Sequence, residues 1–189
     1  PAFEKLSQRN VDFGGGLERI TAAVNDEPDV FKLDMFSEKI CDWEKESGKS
    51  YADEPHQKAF RIIADHTRAA EMLAADGVIA SNLGLGYGLR RLLRRAILFA
   101  DRLGVKLDEQ FREEEKKFRG TLDRGTQEFN RFTEKGELSA KEVFMLLSSF
   151  GFPVELTKEL AREKGVKMDE KGLKWEMEKH QEISRAGAE

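Results

Sequence analysis

The chain has 189 residues, 39% of them hydrophobic and 36% charged, with a formal net charge of −4. That length supports one domain or two small ones around a real core, and no apolar run approaches the length that spans a bilayer, so no membrane partner is expected. A single cysteine, Cys41, excludes an intramolecular disulfide and a thiolate metal cage; with no signal-peptide pattern over residues 1–10, it points to a reducing cytoplasm.

In chain order, "NVDFGGGLERI" at residues 10–20 predicts the end of a strand, a glycine turn and the start of a helix whose face carries Leu17, Ile20, Ala23 and Val24. The turn-rich "NDEPD" at 25–29 stops it. The next helix is predicted from Asp34 as N-cap to Gly48 as the residue after its end, with Phe36, Ile40 and Trp43 on one face and Cys41 as a small buried residue. Residues 55–76 form a long helix with Phe60, Ile63, Ala64, Thr67, Ala70, Leu73 and Ala74 in one stripe, closed by Gly77. "GVIASNLGLGYG" then predicts a glycine-rich loop at 77–88, before a helix over 89–103. Residues 108–133 form a largely exposed helix supported by ion pairs, with Glu113 to Glu115 on a solvated face. Gly136 ends it, a shorter helix covers "ELSAKEVFMLLSSF", Gly151 to Pro153 interrupt, and helices at 155–164 and 169–184 follow, Trp175 packing in the core. The fold class expected is mainly α: a multi-helix array with a short N-terminal strand and glycine turn.

Two features carry chemistry. Gly14, Gly15 and Gly16 at a strand-to-helix junction permit close approach of a ligand to bare backbone. "RRLLRRA" at 90–96 is the one concentrated positive field, and its four arginines fall within roughly 140° of a helix surface. His56, His66 and His180 are too scattered for a metal site, and His66 reads as a hydrogen-bonded structural residue.

Gly-φ-Gly-φ-Glu-Arg around Glu18 and Arg19 resembles motif 3 of class II aminoacyl-tRNA synthetases, and "RIIADHTRAA", "SNLGLGYGLRRLLRRA", "EEEKKFRGTLDRG" and "GFPVELTKELAREKGVKMDEKGLKWEMEKHQE" occur in the order found in the alanyl-tRNA synthetase family. The resemblance runs from about Asn10 to the end of the chain, and it implies a division into a motif 3 tail at 1–25 and two helical tRNA-recognition parts at 26–104 and 105–189. It further implies that, in the whole enzyme, Arg19 binds the ATP phosphates, Gly14 and Gly16 line the adenylate pocket, and Asp12 lies near the alanine amino group. ATP with Mg and alanine are thus ligands of the whole enzyme. The fragment alone should carry no cofactor and no catalysis, because no counterpart of motif 2 is found in it. Asn82 and Glu155 match the residues that contact the G·U pair of the tRNA-Ala acceptor stem, and Arg90, Arg91, Arg94 and Arg95 would meet RNA phosphates. Three positions depart from the pattern: Phe13-Gly14-Gly15 for Thr-Gly-Met, Leu85 for an arginine, and Glu155 for an aspartate one methylene shorter. The alternative reading is a helical protein–protein interaction module whose arginines meet acidic partners.

Overall fold

The computed structural model describes residues 7–8 and 13–186, with side chains described as far as Lys179. Asp12 and most of the expected N-terminal strand lie outside these residues, and Phe13 to Gly16 have no regular structure. Among the described residues the fold is mainly α, with helices α1 (Leu17–Val24), α2 (Asp34–Ser47), α3 (Glu54–Ala75), α4 (Gly84–Leu103), α5 (Arg112–Thr133), α6 (Ala140–Phe150), α7 (Val154–Glu163) and α8 (Glu170–Ala186). Two short strands, β1 (Glu137–Leu138) and β2 (Lys167–Met168), pair in parallel, Glu137 opposite Lys167 and Leu138 opposite Met168. At two residues each they show no alternation that a sequence could reveal.

The helices pack through apolar stripes. α3 buries Phe60, Ile63 and Ala64 in one cluster with Ile97, Phe99 and Ala100 of α4, and Ala70 in a second with Leu89 and Leu93; Thr67 is buried too, whereas Ala74 at the end of the expected stripe is exposed. Phe36, Ile40 and Trp43 of α2 complete that side. The same core continues through Phe118, Leu122 and Phe129 of α5, Val143 and Leu146 of α6, and Leu173 of α8, so it crosses the connection between α4 and α5 without a break.

Local chemistry sets several ends. Gly48 and Gly104 close α2 and α4 in the left-handed region, at φ 69° and 82°, where a Cβ is strained. Ser139 opens α6 with a capping box, its backbone N–H donating to Glu142 Oε2 at 2.9 Å. The N-cap of α2 is Leu33, one residue earlier than expected, and Asp34 instead accepts from the Met35 N–H at 2.7 Å from within the first turn. α4 begins at Gly84, five residues ahead of the expected start at 89, and so absorbs the last five residues of the predicted glycine loop. The reason is contact: a Cβ at Gly86 would collide with the Ser81 hydroxyl and the Ile79 carbonyl, and Gly86 O accepts from Ser81 N–H at 3.0 Å. α5 is not largely exposed, since Phe118, Leu122, Gly125, Phe129 and Phe132 are buried. Cys41 is exposed, and so is Trp175, under which Lys179 lies 5.0 Å from the ring centroid instead of core.

Candidate functional site

The glycine turn leads into α1, whose first helical residues include Glu18 and Arg19. Glu18 accepts from Arg68 Nε on α3 at 3.1 Å, and its pKa is lowered by its backbone hydrogen bond and by Arg68. This contact docks α1 onto α3. Arg19 has no ion-pair partner among the described residues and lines, with Gly16, Phe31 and Arg68, a cleft of about 520 Å³. None of Gly14, Gly15 and Gly16 takes a positive φ, so positive φ is not what requires glycine there. Gly14 faces open space, while a Cβ at Gly15 would press on Phe13 and Ile20 at 3.0 Å.

The arginine row of α4 divides into two pairs by the acids it meets. Arg90 and Arg94 turn toward α5, where Glu114 is only 5% exposed. Arg94 Nε donates to Glu114 Oε1 at 2.9 Å, and Arg90 Nε lies 3.1 Å from the same oxygen without the angle of a hydrogen bond. Glu114 is therefore not on a solvated face; it neutralises two guanidiniums from inside the helix contact. Arg94 also donates to the Gly151 carbonyl at 2.6 Å and sits over the Phe118 ring at 5.1 Å.

Arg91 and Arg95 turn toward α7. Arg91 donates to Glu155 at 2.7 Å, Arg95 makes a two-pronged bond to Glu159 at 2.8 and 3.1 Å, and Arg102, further along α4, meets Glu163 at 2.9 Å. Arg95 also donates to His66 Nε2 at 2.7 Å; a guanidinium only donates, so the ring proton sits on Nδ1 and points at Asp65, 2.9 Å away. His66 is thus a hydrogen-bonded strut between α3 and α4. Burial pushes the Glu159 carboxyl up, but its hydrogen bonds from Arg95 and Lys58 outweigh this and bring it down to about 2.

Asn82, in the turn before α4, accepts a short hydrogen bond from Arg90 Nη1. The two residues expected to read bases, Asn82 and Glu155, come from distant stretches of sequence and are each held by one of two consecutive arginines of α4, Arg90 and Arg91. Asn82 lines a recess of about 240 Å³ with Tyr87, Arg91 and Pro153, and Glu155 borders an adjoining groove of about 660 Å³ that shares Arg91. The groove carries five Lys and Arg side chains against three glutamates, a local positive excess in an acidic protein. Tyr87, Glu114, Lys58, Lys158 and Arg162 were not singled out by the sequence; Tyr87 is marked there only by its place inside "GLGYG". Arg19 belongs to a separate cleft from Asn82 and Glu155. Among the described residues, no three His, Cys, Asp or Glu side chains are grouped to hold a metal ion, and no helix is long and apolar enough to cross a membrane.

The family model for tRNA synthetases class II (A) matches residues 2–111 and 106–189. The chain belongs to that family. As a class II (A) synthetase chain it is 34% identical, over 218 aligned residues covering 97% of it, to the alanine–tRNA ligase of Streptococcus mutans serotype c. Similarity of the same extent is found to the alanine–tRNA ligase of Streptococcus pyogenes serotype M5, and 33% identity to that of Streptococcus thermophilus. In each case the chain spans about a quarter of the relative, 25% of its length.

Proposed function

We propose that this chain is the acceptor-stem-reading part of an alanine–tRNA ligase, with residues 26–104 and 105–189 as its two helical halves and 1–25 as the tail of the catalytic domain. The observation that carries the reading is the tethering of Asn82 and Glu155 to neighbouring residues of α4. A G·U wobble leaves the guanine 2-amino group free in the RNA minor groove, where a carboxylate such as Glu155 accepts from it; the Asn82 amide can donate or accept at base edges in the other groove. The groove along α4 and α7, with Arg91, Arg95, Lys58, Lys158 and Arg162, supplies the positive field that holds phosphates without reading sequence. Arg90 and Arg94, the other two arginines of the row, turn away from this groove toward Glu114 of α5. The half-exposed Arg91–Glu155 pair, 44% and 52% exposed, is weak enough to rearrange when RNA arrives.

In the whole enzyme, ATP with Mg and alanine would meet the other end of the chain. Arg19, with no acid partner among the described residues, fits a triphosphate; Gly14, with open space at its Cβ position, and Gly16 fit the adenylate wall; Asp12 is assigned to the alanine ammonium. ATP and alanine supply the activated acyl group there, and the 189 residues by themselves should not form it. A protein–protein interaction module with a free arginine ridge gives no reason for Asn82 and Glu155 to flank one arginine pair.

The test is fluorescence anisotropy with an acceptor-stem hairpin containing G·U. Asn82→Ala and Glu155→Gln should each weaken binding roughly ten-fold and leave a G·C hairpin unaffected, in line with about 1–3 kcal/mol for one good base contact. Equal weakening of both hairpins would remove the assignment.

A further inference from the structure

We infer that Arg90 and Glu114 are positioning residues for base recognition and that Arg90 is not a phosphate contact. The inference rests on the proposed reading of Asn82 and Glu155. A guanidinium has donors only, so the bond from Arg90 Nη1 must go to the Asn82 carbonyl oxygen, which turns the amide NH2 outward. Asn82 is thereby fixed as a donor, and the ambiguity of a freely flipping amide is removed. Arg90 is itself immobilised: its Nη2 donates to the Ala80 carbonyl at 3.3 Å, its Nε stands 3.1 Å from Glu114, and its side chain is 20% exposed.

Glu114 links both base-reading residues. Through Arg90 it holds the turn at 80–82. Through Arg94, which donates to Gly151 O at 2.6 Å, it holds the turn that leads into α7, where Glu155 stands in the first turn. One buried carboxylate on α5 therefore sets the separation of two readers that lie on different elements. A side chain so placed acts on specificity without touching RNA.

The experiment measures binding of the 189-residue chain and of its Arg90→Lys, Arg90→Gln and Glu114→Gln variants to the G·U and G·C hairpins over a range of salt concentrations, with circular dichroism as the check of folding. Arg90→Lys keeps the charge and loses the fork. It should lose most of the preference for G·U, roughly ten-fold, with affinity for G·C and the dependence on salt unchanged. Arg90→Gln should do the same. If Arg90 is a phosphate contact instead, Arg90→Gln weakens both hairpins equally and lowers the salt slope by about 0.7 to 0.9, which overturns the inference. Preference for G·U retained in both Arg90 variants overturns the inference alone. No preference in the unaltered chain overturns the reading of Asn82 and Glu155 and the inference with it. Glu114→Gln, if folded, should match Arg90→Lys; if it does not fold, the two surface-reaching Arg90 variants decide.

Discussion

Glu159 stands between Arg95 and Lys58, and its pKa of about 2, against an ordinary 4.5, makes it a reporter of the α4–α7 contact. A carboxyl depressed on folding contributes stability that is fully present above its unfolded value and is lost as pH falls through the folded one. Urea unfolding should accordingly show Glu159→Gln less stable than the parent chain by on the order of 2 kcal/mol at neutral pH, with the gap closing between about pH 4.5 and pH 2. A gap that persists at pH 2 would assign the loss to packing and not to charge. At this scale the sequence showed which groups could do chemistry, but not who would hold them. Asn82, Glu155 and the arginines are legible as donors and acceptors. Glu114 is not, because three consecutive glutamates look alike until the stripe of Phe118, Leu122 and Gly125 fixes which of them faces inward. Trp175 shows the reverse error: apolar spacing on a helix does not say whether a neighbour covers it.

Gly125 lies in the middle of α5, where glycine ordinarily weakens a helix, yet a Cβ there would stand 2.5 Å from the buried Phe152 ring and 2.9 Å from Phe150. Gly125→Ala should therefore destabilise by about 1–3 kcal/mol, despite alanine's better helix propensity, and lower the melting temperature; a stabilised variant would mean that the α5–Phe152 contact is looser than described. α1 gives the opposite expectation. Leu17, Ile20 and Val24 are all exposed and no residue of the helix is buried, so Leu17→Gln with Val24→Gln should shift unfolding free energy by less than about 0.5 kcal/mol. A larger loss in the same urea titration would reveal packing on that face. Elements with long apolar periods, α2 and α3, could be placed from the sequence almost to the residue. The start of α4 could not, since Gly84, Gly86 and Gly88 argue against a helix locally, and the approach of Ser81 and Ile79 that requires Gly86 is visible only in the fold. The α4–α7 contact had a sequence signal of its own: Glu155, Glu159 and Glu163 recur every four residues and meet Arg91, Arg95 and Arg102 in order, so the acidic row on one helix matches the basic row on the other.

Across the whole molecule, a chain of net charge −4 gathers five basic side chains against three acids in one groove, so distribution and not the sum decides what it can bind. One apolar core runs from α2 through α8, and the groove and the recess that Asn82 lines share Arg91 of α4. The 218 aligned residues exceed the 189 of this chain, so the streptococcal ligases carry segments that it lacks, and the family match restarts at 106, where α4 passes to α5. That short connection brings Glu114 directly against Arg90 and Arg94. The central claim is that this acidic helical chain reads one base pair of an RNA stem. The measurement that tests it most directly is the affinity of the unaltered chain for an acceptor-stem hairpin with G·U against the same hairpin with G·C, at two salt concentrations. Preference for G·U by roughly ten-fold or more at both, with overall affinity falling as salt rises, is the predicted result. Equal affinity for the two hairpins at both salt concentrations would contradict it.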